Sequence, residues 1–287
     1  MFENILKGFS FIKQSFVLIT KDSDLIKPSI YSIFLGIFFT AITGIAIYLS
    51  TAMMPQELVY ILVFLVLLGE YYISYFFTGM TAFLVYDYFK DGDATMSEAW
   101  AAAKKNALTL FYLSIVSAMV RIVIGVLRGR RGRQGSAAGG IAGMILGFIE
   151  RVWTVATYFI IPAIVIEDRD IKSAVARASD IMQKNLLPIG VGEIAVGFVT
   201  GLLTIIGFVI AIVLGVSIFG AMSNAAGAIL AILIAAVMIV LVIALSMYVT
   251  TAYHTCLFLW ARDVEDAGTG APGTVKPPVP IANVLGV

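Results

Sequence analysis

Long apolar runs alternate with short amphipathic ones along the whole chain. One stretch carries the pattern best: TYFIIPAIVIEDRDIKSAVARASDIMQKNLLP, residues 157–188. It begins as the end of an apolar run and breaks at an acidic turn, Glu167-Asp168-Arg169-Asp170. It then resumes as an amphipathic segment and reaches Pro188, where the next apolar run starts. In physical terms this is a helix leaving a membrane, a turn at the headgroups, a helix lying in the interface, and a return into the bilayer. The phrase recurs over residues 81–107, and a partial third copy covers 251–266. A related lead-in opens the chain and ends at Pro28.

The predicted elements follow from these runs. Residues 2–20 place Phe2, Ile5, Phe9, Ile12, Phe16 and Ile19 on one face at helical spacing, with Glu3, Lys7, Ser10 and Gln14 on another, as in an interfacial amphipathic helix. Six apolar spans are predicted, at about 28–51, 58–89, 107–127, 141–166, 189–219 and 229–260, each long enough for the ~20 residues a bilayer requires. Thr95-Met96-Ser97-Glu98 fits a capping box for a further interfacial helix. In the interfacial piece after the fourth span, Ile171, Ala174, Val175, Ala178, Ile181 and Met182 form one face, opposite Ser173, Arg177, Asp180 and Lys184. The predicted fold is therefore all-α: a polytopic transmembrane helical bundle in three hairpin repeats, forming one domain over 1–266. Residues 267–287, rich in Gly, Ala, Pro and Val, read as a flexible tail.

Composition sharpens this picture. Hydrophobic residues make up 60% of the 287 and charged residues only 13%, about half the share in a soluble domain. With a mean hydropathy of +0.99 there is too little polar surface to coat a water-soluble globule. The net charge of +1 gives no electrostatic case for nucleic acid. The single cysteine, Cys256, rules out an intramolecular disulfide, and no cofactor or metal is expected. The first 21 residues lack the continuous apolar core of a cleavable signal peptide. Thirteen Lys or Arg fall at the termini and in the two loops between repeats: Lys7, Lys13, Lys21, Lys27, Lys90, Lys104, Lys105, Arg169, Lys172, Arg177, Lys184, Arg262 and Lys276. The turns at 52–57 and 220–228 carry none. Positive-inside counting then places both termini in the cytoplasm of a multi-pass cell-membrane protein. The segment RGRRGRQGSAAGG, residues 128–140, opposes this count, because six spans put Arg128, Arg130, Arg131 and Arg133 outside. Either the middle hairpin does not fully cross or, as the length of its two spans favours, the repeat overrides the local charge signal; the segment reads as a mobile basic loop, either simply solvated or suited to phosphate or carboxylate groups.

Ionisable residues inside the spans are the main chemical signal: Glu70, Arg121, Glu150, Arg151 and Glu193. Arg121 lies 13 residues before position 134 and Glu150 lies 16 after it, so an antiparallel hairpin brings them to similar depth and predicts an ion pair. Such a pair either offsets its own burial or, with Arg151, lines a polar path or anion site. Glu70 has no evident sequence partner, with Arg151 the one left by elimination, and Glu193 lies near an interface where it faces water. Gly139, Gly143 and Gly147, then Gly197 and Gly201, then Gly227, Ala231 and Ala235, repeat every four residues and suit close helix packing, within the chain or between copies. Catalysis finds little support. The one histidine, His254, and Cys256 fall on nearly opposite helix faces, and neither a phosphate-cradling loop nor a metal-ligand spacing occurs. Asp87, Asp91, Asp93 and Glu98 read as headgroup-level helix caps before a cation site.

The run P-A-I-V-I-E-D, a short turn, and A-V-A-R-A-S-D-I-M-Q-K-N, together with F-E-N-I-L-K-G-F-S-F-I-K-Q-S-F-V-L-I and K-P-S-I-Y-S-I, resembles a large group of uncharacterised polytopic membrane proteins. That group also takes in the membrane domain found beside some glycerophosphodiesterases. The resemblance implies a six-span integral membrane protein and assigns no activity. The function expected from the residues is non-enzymatic: self-association or organisation of membrane components, with membrane lipids and a second copy or another membrane protein as partners. The competing expectation is a channel or permease for a small solute, with an anion as one candidate.

Overall fold

The computed structural model describes residues 13–51, 55–131, 137–222, 224–267 and 275. Regular structure among them is helical throughout. Residues 13–21 form α1, followed by a 3-10 turn at Ser23–Leu25. The remaining helices are α2 (Lys27–Thr51), α3 (Gln56–Asp91), α4 (Met96–Lys105), α5 (Ala107–Arg131), α6 (Ala137–Val165), α7 (Ile171–Lys184), α8 (Leu186–Met222) and α9 (Ala225–Asp266). Six of them, α2, α3, α5, α6, α8 and α9, are long and apolar enough to cross a membrane. The chain is thus an all-α polytopic bundle. Residues 2–12 of the expected first interfacial helix, and all of the expected tail beyond 267 except Val275, lie outside the described residues.

The two short helices α4 and α7 form where the sequence predicts short amphipathic helices. In α7 the buried residues are Ala174, Ala178 and Ile181, one stripe at i, i+4 and i+7, and in α4 they are Ala99 and Ala103. The arginine-rich segment differs from expectation. α5 continues to Arg131 and α6 begins at Ala137, so Arg128, Arg130 and Arg131 are helical. Arginine is a good helix former, and Arg128 gains an ion-pair partner by staying on the helix. Arg133 lies outside the described residues, as do the side chains of Arg130 and Arg131.

The turn between α6 and α7 shows how the acidic exit is built. Asp168 adopts φ +53, a left-handed conformation that Asp tolerates. The Arg169 N–H reaches back six residues to the Ala163 carbonyl at 3.2 Å, across the end of α6. Asp170 then caps α7, accepting from the Ser173 N–H at 3.3 Å and from its hydroxyl. These hydrogen bonds hold the Asp170 carboxyl below the usual carboxylate range. Glu167 takes Arg169 and Arg177 as partners.

The chain divides into two compact units. One comprises Met1–Ile33, Leu84–Met96 and Lys184–Val287, and the other Phe34–Phe83 and Ser97–Gln183. In the first, α8 and α9 pack along their length through small residues. Gly207 faces the Val242 side chain so closely that a Cβ would displace it, and Gly215 lies against Ala231 and Ala235. Asn224 caps α9 by accepting from the Gly227 N–H at 2.8 Å. In the second unit the Ser117 hydroxyl, 1% exposed, accepts from Tyr75 Oη at 2.8 Å and Trp153 Nε1 at 3.1 Å, which ties α3, α5 and α6 together. A Cβ on Gly79 would stand 3.0 Å from Val165, so α3 and α6 approach closely there.

Candidate intramembrane site

Each pair of consecutive spans carries one glutamate inside the apolar region, and in each case its partner comes from the other span of the hairpin. Depth explains the pairing. In an antiparallel hairpin, residues equally far from the turn meet, at 1.5 Å of rise per residue.

In the α2–α3 hairpin the Thr40 hydroxyl donates to Glu70. These two residues straddle Pro55 evenly. Gly36, one turn before Thr40, leaves room for the carboxylate, since a Cβ there would stand 3.7 Å from Glu70 Oε2. The described partner of Glu70 is thus a hydroxyl from the neighbouring span, and Arg151, its predicted candidate partner, is exposed on α6.

In the α5–α6 hairpin Arg121 ion-pairs with Glu150, the pair predicted from depth. Arg128 joins from two turns further along α5, its guanidinium 2.6 Å from Glu150 Oε2. It lies over Gly147, 3.7 Å from where a Cβ would stand. Two cations therefore bracket one carboxylate, leaving one net positive charge. The Arg121 and Arg128 side chains are 51% and 43% exposed and Glu150 is 27% exposed, so the trio lies on an outer face of the hairpin. Arg151 is turned about 100° around the helix from Glu150 and is exposed.

In the α8–α9 hairpin Glu193 meets His254, with Nε2 and Oε2 2.9 Å apart. The prediction that Glu193 faces water is therefore corrected: its side chain is 21% exposed and engaged with a histidine that is 1% exposed. The pair straddles the turn before α9 evenly, so α9 carries His254 to the depth of Glu193. His254 Nδ1 lies 2.7 Å from the Thr250 carbonyl, which can only accept, so Nδ1 donates. The Nε2–Oε2 contact then shares one proton. Whether it resides on the ring or the carboxyl, the pair carries no net charge, which suits burial in a span.

The small-residue stripes divide. Ala231 and Ala235 pack on Gly215 as such stripes allow, and Gly147 makes room for Arg128. Among the described residues a Cβ on Gly143 or Gly201 would meet nothing within 4 Å, and Gly197 is exposed. The surroundings of Gly139 are outside the described residues. Of the glycines at the closest approaches, Gly69 against Phe39 has no four-residue stripe to announce it, whereas Gly207 against Val242 begins a stripe with Ala211 and Gly215 beyond those predicted. At the interfacial loops the acidic residues serve backbone: Asp87 accepts from the Thr95 N–H at 3.3 Å and Asp22 from the Ala94 N–H at 2.8 Å. Asp168 accepts from Lys105 at 2.6 Å and Asn106 at 3.0 Å, and those two contacts, Lys105 first, hold its carboxyl below the usual range.

Six apolar helices with paired polar residues inside the hairpins define a polytopic α-helical membrane protein. The chain belongs to DUF6159, a family of unknown function, whose family model matches residues 29–268. No curated protein matches the chain.

Proposed function

We propose that this is a non-enzymatic integral membrane protein that associates with further copies of itself and so organises membrane components, with the α5–α6 hairpin supplying the contact face. One observation carries the reading: an Arg–Glu–Arg trio, with Arg121 and Glu150 inside two spans and Arg128 at the end of one, has arginine side chains about half exposed on a face left uncovered among the described residues. A charged side chain at mid-span costs about 2.5–3.5 kcal/mol on insertion scales. A second protein surface over the trio lowers that cost by excluding hydrocarbon. Gly143, on α6 and open to space, supports the same face, since glycine lets another helix approach closely. Gly143→Leu should reduce the subunit number in lipid nanodiscs, as should Gly201→Leu. Wild-type assembly in both variants would overturn the proposal.

The engagement of His254 by Glu193 and Thr250, and the burial of Cys256, support the non-enzymatic part. The proposed setting is the cell membrane with both termini cytoplasmic. In a Cys256→Ala background, Glu57→Cys should then react with an impermeant thiol reagent added outside intact cells and Ala267→Cys should not; labelling of Ala267→Cys and not of Glu57→Cys would reverse this assignment. The second reading is a permease for a small anion, favoured by the net positive charge of the trio. Its signature is solute flux in liposomes that Arg151→Ala or Arg121→Gln alters, and no flux across a broad panel would eliminate it.

A further inference from the structure

A cavity of about 360 Å³ opens in the second unit where α4 meets α2, α3 and the start of α5. Its walls include Leu35, Tyr72, Phe76, Phe77 and Trp100, with Lys104 at the rim. The volume lies near the lower end of the ~300–1,000 Å³ found for ligand pockets, and the lining is mostly apolar with one charged group, as such pockets are built. The walls are braced by ring contacts. Phe76 meets Trp100 edge-on with centroids 5.1 Å apart, and Tyr72 meets Phe111 at 5.8 Å and 82°.

The position of the cavity narrows what it takes. Its outer wall is the interfacial helix α4, and Trp100 is 50% exposed there, the residue type that sits at headgroup level. Lys104 follows Trp100 by four residues and so lies on the same helix face. It is exposed and has no ion-pair partner among the described residues, whereas its neighbour Lys105 is bound to Asp168. An aromatic slot in contact with the hydrocarbon, capped at headgroup depth by one uncommitted ammonium, is complementary to a chain bearing one negative charge at its end.

We propose that this cavity holds an acyl chain of an anionic bilayer phospholipid, with the lipid phosphate on Lys104. Lysine binds phosphate as a point charge, and one lysine near an acidic surface supplies about a fivefold preference for the acidic headgroup. The aromatic walls hold the chain without regard to headgroup, so the cavity sets affinity and Lys104 sets selectivity. This inference does not depend on self-association, since its readout is bound lipid at any subunit number.

The test is native mass spectrometry of the full chain, delipidated in detergent and titrated with phosphatidylglycerol or phosphatidylcholine of identical chains. The first phosphatidylglycerol should bind about fivefold more tightly than phosphatidylcholine. Lys104→Gln, at an exposed position, should bring phosphatidylglycerol down to the phosphatidylcholine level and leave the latter unchanged. Ala107→Phe, which puts a ring into the cavity, should weaken both lipids alike. Equal binding of the two lipids by the wild type, or an undiminished preference in Lys104→Gln, would overturn the proposal. So would displacement of the lipid by inorganic phosphate alone, because the chain would then contribute nothing.

Discussion

A polar side chain inside a span has three ways to lower its cost: a partner at the same depth, a neighbouring backbone group, or a second protein surface. His254 uses the first two, with Glu193 on one ring nitrogen and the Thr250 carbonyl on the other. Removing either partner strands the remaining one, whereas removing both strands neither. In a double-mutant cycle of Glu193→Leu and His254→Leu, thermal stability in detergent should therefore fall less in the double variant than the two single losses predict. A coupling of about 0.6–1.7 kcal/mol is the range seen between membrane helices. Strictly additive losses would contradict the pair. Depth makes Arg121–Glu150 legible from sequence, and the same rule fits Glu193 with His254 and Glu70 with Thr40. Those two pairs stay hidden because a lone histidine is read first as a catalytic candidate and a threonine is not read as a partner at all. Arg128 stays hidden because a run of arginine and glycine reads as loop, and only the Glu150 carboxylate on the facing helix α6 shows why α5 continues.

At the level of elements, the interfacial helices are the most legible part of the chain. The acidic turn and the short amphipathic segment after it locate α7, and the capping pattern at 95–98 locates α4. Less legible is that Asp168 does two jobs: it holds the left-handed position that ends α6, and it takes Lys105 and Asn106 as partners. Residues more than sixty positions apart give no local signal of that contact. The linkage sign follows from its lowered pKa. A carboxylate with a depressed folded-state pKa adds stability that is fully present above its unfolded value, near 3.9, and is lost as pH falls through the folded value. Asp168→Asn keeps a side chain that tolerates the left-handed backbone but removes the charge. The melting temperature of the wild type should exceed that of Asp168→Asn at neutral pH, and the gap should close as pH drops below about 4. The side chain is half exposed, so the gap is small. A gap that is constant with pH would show that the charge contributes nothing.

Across the whole molecule, composition and run length alone define a six-span membrane protein, because the apolar stretches are too long and too numerous for any water-soluble core. Family membership adds no activity. What composition cannot reveal is which faces stay uncovered. Glycine stripes have the same sequence signature whether they pack inside the chain, as Ala231 and Ala235 do against Gly215, or open outward, as Gly143 and Gly201 do. The outward glycine of α6 and the half-exposed arginine pair of the same hairpin are the physical basis of the proposed assembly. The most direct test is native mass spectrometry of the wild-type protein released from lipid nanodiscs. A single defined oligomer should persist as collision energy is raised. A clean monomer at every condition that keeps the fold would contradict it, and would leave the Arg121–Glu150–Arg128 trio as part of a solute path within one bundle.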